Sequence, residues 1–443
     1  MGDKDVPAKF PAWFLRTRAS RGRGNERGSK PRPRTPDDTT LFVTNLTLLR
    51  WTGFWRQPAP PAGGPGDGRT DGAWARARAA AQRAFFNVNM VCNVAFITTK
   101  VVHTALDTDN IRNITENLSD VLCIAFSLLQ LVVLTDVEPR LLKLLDRIDG
   151  QLEHVLHATG VGPEGLERQR RVCRDVAIRT FAGFLFTGLN FGVVVTSTGK
   201  SKNALPIAIW TPFRQDAPGT LSILLMVEAV GVVLTVAGSG ALSALFLNSF
   251  LVVQSQFRAL HGYFQAEAEG LPDGAWDTAA KRRTRERLVQ GVKLHQGVLS
   301  LADETCEVLS PFVAVQLGTI GFIICVALFQ ISVDPMDPGN SRFVVLAATI
   351  TVEAFVLCYM GTLLSDQAME VQLGLEFGNW YLQGQEIGYI VKFASMRSQK
   401  VPAVVVGNVH VGLPLFLEII RSSYSLLAFL QKRARSEDTQ DLA

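Results

Sequence analysis

Few residues in this sequence have a type and spacing that could support catalysis. The six histidines do not combine with carboxylates at the spacing of a metal site. His154 and His157 stand three positions apart, but a solvated helix face explains them better than a metal ion does. The motifs of phosphate-binding loops, serine hydrolases, zinc proteases and redox cysteine pairs are missing. We therefore expect a protein that is not an enzyme and that needs no metal or organic cofactor.

Two carboxyl groups stand alone within long apolar stretches and are the clearest candidates for binding chemistry. Glu228 is the only charged residue in 221–247, and Glu353 is the only one in 343–365. Each could pair with a protonated amine, although a protonated carboxyl, or one hydrogen-bonded to a neighbouring helix, is the commoner arrangement. The basic run KRRTRER at 281–287 fits attraction to anionic membrane lipid better than binding to nucleic acid.

The composition indicates which elements must position these groups. Of the 443 residues, 47% are hydrophobic and 19% are charged, and the mean hydropathy is +0.19. Fibrous and disordered proteins are less apolar than this, and six cysteines are too few for a disulfide scaffold. A soluble enzyme would carry roughly a quarter charged residues. The composition therefore favours a membrane protein.

The apolar residues cluster into seven stretches that are long enough to cross a bilayer. A hydrocarbon core of about 30 Å needs roughly 20 residues of helix, because every backbone polar group must be bonded within the segment. We therefore expect an all-α fold with seven transmembrane helices. The expected spans are 84–107, 118–137, 176–198, 221–248, 310–332, 343–365 and 408–431.

The basic residues predict how these helices are oriented. No signal peptide precedes the first span. Of the 44 Lys and Arg residues, 34 fall in the N-terminal segment and in every second connection between the spans, including the adjacent helix ends. The positive-inside rule then places the N-terminus inside the cell and the C-terminus outside. The sequons at Asn113 and Asn117 fall in the first outer loop, which makes them candidates for glycosylation.

The remaining segments have simple predicted roles. Residues 1–40 are expected to be a disordered cytoplasmic tail, and 41–83 an interfacial helix followed by a Pro/Gly spacer. Residues 84–431 form the seven-helix domain, and 432–443 an extracellular tail. The inner loops show helical periodicity, which predicts a packed cytoplasmic anchor region below the membrane.

Several motifs together resemble the insect odorant receptor family. The last span reads LPLFLEIIRSSYSLLAFLQK, and NWYLQGQEIGYIVKFASMRSQKVPAVVVGN precedes it. LPIAIWTPFRQDAPG resembles the family's second outer loop, and the resemblance extends over 41–431. This chain differs from the family pattern in two places. Val401 separates the lysine and proline that follow each other in the family motif before the last span, and a basic tail follows the last helix. The related gustatory receptors fit less well, because Gln431 is followed by lysine rather than phenylalanine.

The resemblance implies a subunit of an odorant-gated, non-selective cation channel. Such a subunit would assemble with the odorant co-receptor as a heterotetramer in the plasma membrane of a sensory neuron dendrite, and would bind small volatile apolar ligands. Helix seven would line the pore with Tyr424, Leu427 and Gln431, which are i, i+3 and i+7 on one helix face. Packing of Tyr424 and Leu427 against helices five and six is the alternative. Trp380 and Tyr381 would belong to the inter-subunit anchor.

The resemblance also implies an odorant pocket in the outer half of the bundle, among helices two, three, four and six. Burial of apolar surface would supply most of the affinity there, with one or two polar groups orienting the ligand. Core packing is the alternative role for each candidate. The candidates by depth are Cys123, Phe126, Phe186, Asn190, Met226, Val230, Phe343 and Ala347.

Two other functions remain open from the sequence. A gustatory-type receptor channel would work without the co-receptor. A secondary transporter would carry substrate without a tetrameric pore, but the chain lacks the internal repeats that are typical of transporters.

Overall fold

The structure is a computed structural model, and it describes most of the chain from residue 41 onward. The predicted tail 1–40, most of the Pro/Gly spacer and the second outer loop lie outside the described residues. The described ranges are 41–55, 69–106, 111–202, 218–269, 278–333, 338–376, 380–382 and 384–440.

Nine helices and one short hairpin make up the described part of the chain. Two single-turn 3-10 helices, Pro338–Asn340 and Trp380–Leu382, precede α7 and α8. Strands β1 (Val405–Val406) and β2 (Val409–His410) pair antiparallel just before the last helix. The helices are α1 Val43–Trp51, α2 Arg69–Leu106, α3 Ile111–Ala158, α4 Gly162–Lys202, α5 Pro218–Glu269, α6 Thr278–Val333, α7 Ser341–Glu376, α8 Gln385–Ser398 and α9 Leu413–Gln440.

Seven of these helices, α2 to α7 and α9, are long and apolar enough to cross a membrane. Each overlaps one of the predicted spans, so the prediction of a seven-transmembrane helical fold is confirmed. The chain is therefore a multi-pass membrane protein. Most of the predicted tail 432–443 is helical, because α9 continues to Gln440.

Several helices extend well beyond the thickness of a bilayer. The 56 residues of α6 correspond to about 84 Å at 1.5 Å per residue, against about 30 Å of hydrocarbon. Helix α3, with 48 residues, is also much longer than the hydrocarbon core is thick. Pro139 of α3 and Pro311 of α6 each lie where the apolar span meets the overhanging part.

The densest core lies in these overhanging parts. Leu144 and Ile148 of α3 and Phe257 of α5 have no exposed surface, and they belong to the same cluster as Leu301 of α6 and Val391 of α8. This packing agrees with the helical periodicity that the inner loops show. It gives the transmembrane helices a common base.

Burial differs strongly among the seven spans. In the most apolar window, 67% of the residues of α5 and 61% of those of α6 are buried, against 22% for α2 and α4 and 6% for α9. The helices α5 and α6 therefore form the centre of the chain. The last helix, α9, lies at its edge.

Helix α1 is packed against the bundle. Phe54 and Trp55, just after it, are fully buried, and Asn248 of α5 donates a hydrogen bond from Nδ2 to Oδ1 of Asn45 at 2.9 Å. Only Trp51 and Val43 expose large apolar surface. The position of this helix at the inner membrane surface stays a prediction.

Candidate functional site

One face of α9 is held against α6 and α7. At its start, the backbone N–H of Leu413 donates to Oγ1 of Thr362 in α7 at 3.0 Å. Halfway along, Oγ of Ser423 donates to the backbone oxygen of Gly321 in α6 at 2.9 Å, and Ser423 is buried. These two hydrogen bonds fix both the height and the rotation of the helix.

The opposite face of α9 is exposed and polar. The polar stripe of α9 consists of Glu418, Arg421, Ser425 and Lys432, all of them exposed at intervals of three, four and seven residues. Tyr424, beside it, is 70% exposed. Charged and hydroxyl groups are costly in contact with lipid, so spanning helices direct such groups to a protein interface or to water.

The structure divides the three predicted pore residues between the two faces. Tyr424 borders the polar stripe, whereas Leu427 is 9% exposed and packs in a small cluster with Cys325 and Phe329 of α6. Gln431 is half-buried. Of the three, Tyr424 has the exposure that a residue lining a water-filled path requires.

A buried ion pair links α2 and α3. Nζ of Lys100 lies 3.0 Å from Oδ2 of Asp120, and the two side chains are 1% and 6% exposed. In the count of basic residues that predicts the orientation, Lys100 falls on the outer side, at the end of the predicted span 84–107, and the structure places it inside α2. The sequence signal that could have revealed this ion pair is the presence of opposite charges in two neighbouring spans.

Two further buried charges approach this pair. Glu228 of α5 is 5% exposed, neither of its carboxylate oxygens accepts a hydrogen bond from the described residues, and Lys100, Asp120 and Arg342 act on it electrostatically. The Arg342 guanidinium of α7 stacks 5.4 Å from the ring centroid of Phe191 in α4. Charges from four spans therefore meet in one buried region.

The second lone carboxyl, Glu353 of α7, lies in a hydrogen-bonded network. Ser243 of α5 donates from Oγ to Oε1 of Glu353 at 2.5 Å, and Nε2 of Gln316 in α6 donates to the same oxygen. Nε2 of Gln316 also donates to Oγ of Ser243 at 3.2 Å. Three spans are thus tied together around one carboxyl group, which is the interhelical arrangement that the sequence favoured.

In the part of the chain that the structure describes, the eight predicted pocket residues differ widely in burial. Phe186, Met226 and Val230 are each more than half exposed, so they face the outside of the bundle. Phe343 and Ala347 are buried in a cluster with Ala327 of α6. The remaining three are half-buried, namely Cys123, Phe126 and Asn190. The Oδ1 atom of Asn190 is buried and has no hydrogen-bond partner among the described residues.

The predicted anchor residues form part of an exposed aromatic patch. Nε1 of Trp380 donates to the backbone oxygen of Glu376 at 3.3 Å, and its ring meets that of Tyr381 edge-on at 6.1 Å between centroids. Tyr381 and Tyr389 are 64% and 59% exposed. Together with α8, these rings line a groove of about 730 Å³.

The two sequons lie at the start of α3. Asn113 and Asn117 fall within the first two turns of that helix, which begins at Ile111. Among the residues that the structure describes, no cluster of three His, Cys, Asp or Glu side chains could hold a metal ion.

Comparison with known proteins identifies relatives of the chain. The family model for the 7tm odorant receptor matches residues 110–424. Odorant receptor Or1 of Anopheles gambiae is 22% identical over 262 residues, which is 54% of this chain and 62% of that receptor. Odorant receptor 82a of Drosophila melanogaster is 23% identical over 230 residues, 51% of this chain and 57% of that one. The chain thus spans about 60% of the length of these curated relatives.

Solved structures with the same fold cover almost the whole described chain. The insect olfactory receptor OR5 from Machilis hrabei superposes with a TM-score of 0.63 at 13% identity, covering 87% of this chain and 96% of that one. The same receptor in complex with eugenol gives a TM-score of 0.62 at 13% identity, covering 88% and 97%. At this identity the match establishes the shared fold.

Proposed function

Because the chain belongs to the 7tm odorant receptor family, a family of receptors and not of enzymes, we propose that it is an odorant-tuning subunit of a ligand-gated, non-selective cation channel. Binding of a small volatile molecule in the outer half of the bundle opens a pore beside α9. The N-terminus lies in the cytoplasm and the C-terminus outside, in the plasma membrane of a sensory neuron.

The polar stripe of α9 is the observation that carries this proposal. Only 6% of the residues of this span are buried within the chain, and its exposed face carries Glu418, Arg421, Ser425 and Lys432. Contact of these groups with lipid would be unfavourable, and contact with water along a central pore removes the penalty. The 20 residues of Leu413–Lys432 correspond to about 30 Å, the thickness of the hydrocarbon core.

The charges on this stripe favour a heteromeric channel. Arg421 and Lys432 expose two cations against one carboxylate, Glu418, and four copies would concentrate positive charge around a path for cations. Within a Debye length of about 8 Å such charges repel permeating cations. A heterotetramer with the odorant co-receptor carries fewer copies, so its cation barrier is lower.

The odorant site proposed here lies among α3, α4, α5 and α7, on the outer side of the bundle. Half-buried Cys123, Phe126 and Asn190 are its best-placed members, because each is neither turned fully outward nor closed off in the core. Met226, Val230 and Phe186 can contribute only if a neighbouring element covers them. Glycosylation at Asn113 and Asn117 is proposed for the same outer side.

Cysteine accessibility on α9 tests the pore proposal directly. Ser425 and Ser423 are a matched pair two residues apart, the first exposed and the second buried against α6. A charged, membrane-impermeant thiol reagent should reduce the odorant-evoked current of Ser425→Cys and leave that of Ser423→Cys unchanged. The wild-type chain controls for the native, exposed Cys92. Equal modification of both variants would show that the stripe does not face a water-filled path.

Expression with and without the co-receptor tests the subunit role. We expect odorant-evoked current only when both chains are present, because the positive stripe disfavours a pore of four identical copies. Robust current from this chain alone would favour a gustatory-type channel that works without a co-receptor.

A further inference from the structure

A cavity of about 360 Å³ lies between α4, α5 and α7, away from the proposed odorant site. On α4 it is lined by Gly183 and Phe184, and on α5 by Ser243 and Leu247. These residues lie in the inner half of their predicted spans, 176–198 and 221–248. None of the eight predicted odorant-pocket residues lines it. The cavity is therefore a separate place in the bundle.

The walls of this cavity are mainly apolar. Phe184, Leu247, Val356 and Leu357 supply hydrocarbon surface, and Val352, which is 61% exposed, lies where the cavity reaches the outside of the bundle. A volume of this size is at the lower end of the range for small-molecule sites. It accommodates one aromatic ring with a short chain.

One carboxyl group lies in this apolar cavity, and only one of its oxygens is engaged. Glu353 is 9% exposed and lines the cavity, and its Oε1 accepts hydrogen bonds from Ser243 and Gln316. Its Oε2 accepts no hydrogen bond from the described residues. The two donors to Oε1 partly offset the cost of burying an ionised carboxylate. The unused oxygen is left for a ligand.

The Glu353 carboxylate lacks a cationic partner among the described residues. Arg179, the cation that lines the cavity, is exposed one helical turn below Gly183 on α4 and makes no ion pair with Glu353. A buried charge without a counter-ion is unfavourable, and a cation that enters the cavity offsets that cost.

The other lone carboxyl is less suited to this role. Glu228 has two cations, Lys100 and Arg342, acting on it electrostatically, together with Asp120. A protonated amine would be repelled there by charges that are already in place. Among the described residues no cation acts on Glu353 in this way, since Arg179 lines the cavity without pairing with it, so the structure distinguishes two carboxyl groups that look alike in the sequence.

From these observations, we propose that the cavity between α4, α5 and α7 binds a small protonated amine with an apolar body, and that Glu353 is its counter-ion. The ammonium group donates to Oε2 of Glu353, and Oγ1 of Thr349, which also lines the cavity, accepts a second N–H. The apolar body of the amine contacts Phe184 and Leu357.

Binding of a charged and a neutral probe to the purified full-length chain in lipid nanodiscs tests this proposal. The probes are radiolabelled phenethylamine and 2-phenylethanol, which differ mainly in the ammonium group. Glu353→Gln should weaken phenethylamine binding by at least about tenfold, the loss of one strong polar contact, and leave 2-phenylethanol binding within about twofold. Glu228→Gln, a matched change at another buried carboxyl, should leave both affinities unchanged.

A second variant fills the cavity without removing the carboxylate. A Cβ added at Gly183 meets no atom within 4 Å, so Gly183→Leu places a side chain in open space and should weaken binding of both probes. Gly231 on α5 is equally unobstructed and does not line the cavity, so Gly231→Leu is the matched control and should change neither affinity. If Glu353→Gln does not fold, the comparison of these two variants decides the proposal.

Several results would overturn the proposal. These are no binding of phenethylamine to the wild-type chain, equal losses of both probes in Glu353→Gln, unchanged phenethylamine binding in Gly183→Leu, and a selective loss in Glu228→Gln. Binding is measured without current. A failure here is therefore distinguishable from a failure of the channel proposal.

Discussion

At the scale of single residues, the ion pair between Lys100 and Asp120 has the largest energetic consequence. Both side chains are almost completely buried and 3.0 Å apart, and they lie on α2 and α3, whose most apolar windows are only 22% and 33% buried. A buried pair of this kind contributes little net stability, but an unpaired member is strongly unfavourable. The pair therefore specifies how α2 is placed against α3.

We expect Lys100→Met to destabilise the chain by about 3 to 5 kcal/mol, because it leaves Asp120 buried without its partner. The double variant Lys100→Met/Asp120→Leu should recover most of that loss, since it removes both charges. Thermal unfolding of the purified proteins in one detergent measures both effects. A double variant that is less stable than Lys100→Met would contradict this explanation.

The buried charges show which features of single residues can be predicted from the sequence. Glu228 and Glu353 were identified as lone carboxyl groups in apolar stretches, because hydropathy along the chain is enough to find them, and both are buried. Lys100 lies within the predicted span 84–107, but its pairing with Asp120 could not be predicted, because the partner is 20 positions away on another helix and no local pattern links the two. Hydropathy finds a charge in an apolar span, and only tertiary packing shows what neutralises it.

At the scale of elements, the approach of α1 to α5 depends on a glycine. A Cβ at Gly238 would lie 2.1 Å from ring atoms of Phe54, which is fully buried just after α1. Any larger residue at this position must displace that aromatic ring. The contact holds the segment before the first span against the most buried helix of the bundle.

Gly238→Ala is expected to lower stability by about 1 to 3 kcal/mol, the usual effect of overpacking a core. Gly231→Ala on the same helix has open space around its new Cβ and should be neutral or stabilising by up to about 1 kcal/mol, because alanine favours helix. Thermal unfolding of the two variants against wild type measures the difference. Equal effects would show that the Phe54 contact does not determine the outcome.

The elements themselves were largely predictable, but their rotation was not. A helix that is long and apolar enough to cross a membrane overlaps each of the seven predicted spans. Phe186, Met226 and Val230 nevertheless face outward, and Leu427 packs on α6 whereas Tyr424 does not. Spans that are apolar on every side carry no periodicity that fixes which face turns inward. The depth of a side chain in the membrane could therefore be predicted, but the direction in which it points could not.

At the scale of the whole molecule, the described chain exposes two surfaces that are suited to contact with other subunits. One is the face of α9 that carries the polar stripe. The other is the aromatic patch of Tyr381 and Tyr389 beside α8. Aromatic side chains of this kind are enriched at the centres of protein interfaces. Both surfaces are consistent with assembly of several subunits around α9.

Removing the aromatic rings should impair that assembly. We expect Tyr381→Ala/Tyr389→Ala to reduce co-purification with the co-receptor by about tenfold or more, the effect of losing a hot-spot residue. Trp51→Ala removes an aromatic side chain of similar exposure, 72%, from a different part of the chain and should have little effect. Size-exclusion chromatography of the co-expressed chains measures assembly. Similar losses in the two variants would indicate that the patch has no specific role.

The overhanging helices have a mechanical consequence for the whole molecule. About 50 Å of α6 lies outside a 30 Å membrane, so this helix acts as a lever whose fulcrum is at Pro311. Proline at that point removes one backbone hydrogen bond and makes the helix easier to bend there. A tilt of about 5° transmitted past the fulcrum moves the far end by about 4 Å, most of one helical turn. The stiffness at a single proline thus affects how much of a movement in the membrane reaches the far end of the overhanging helix.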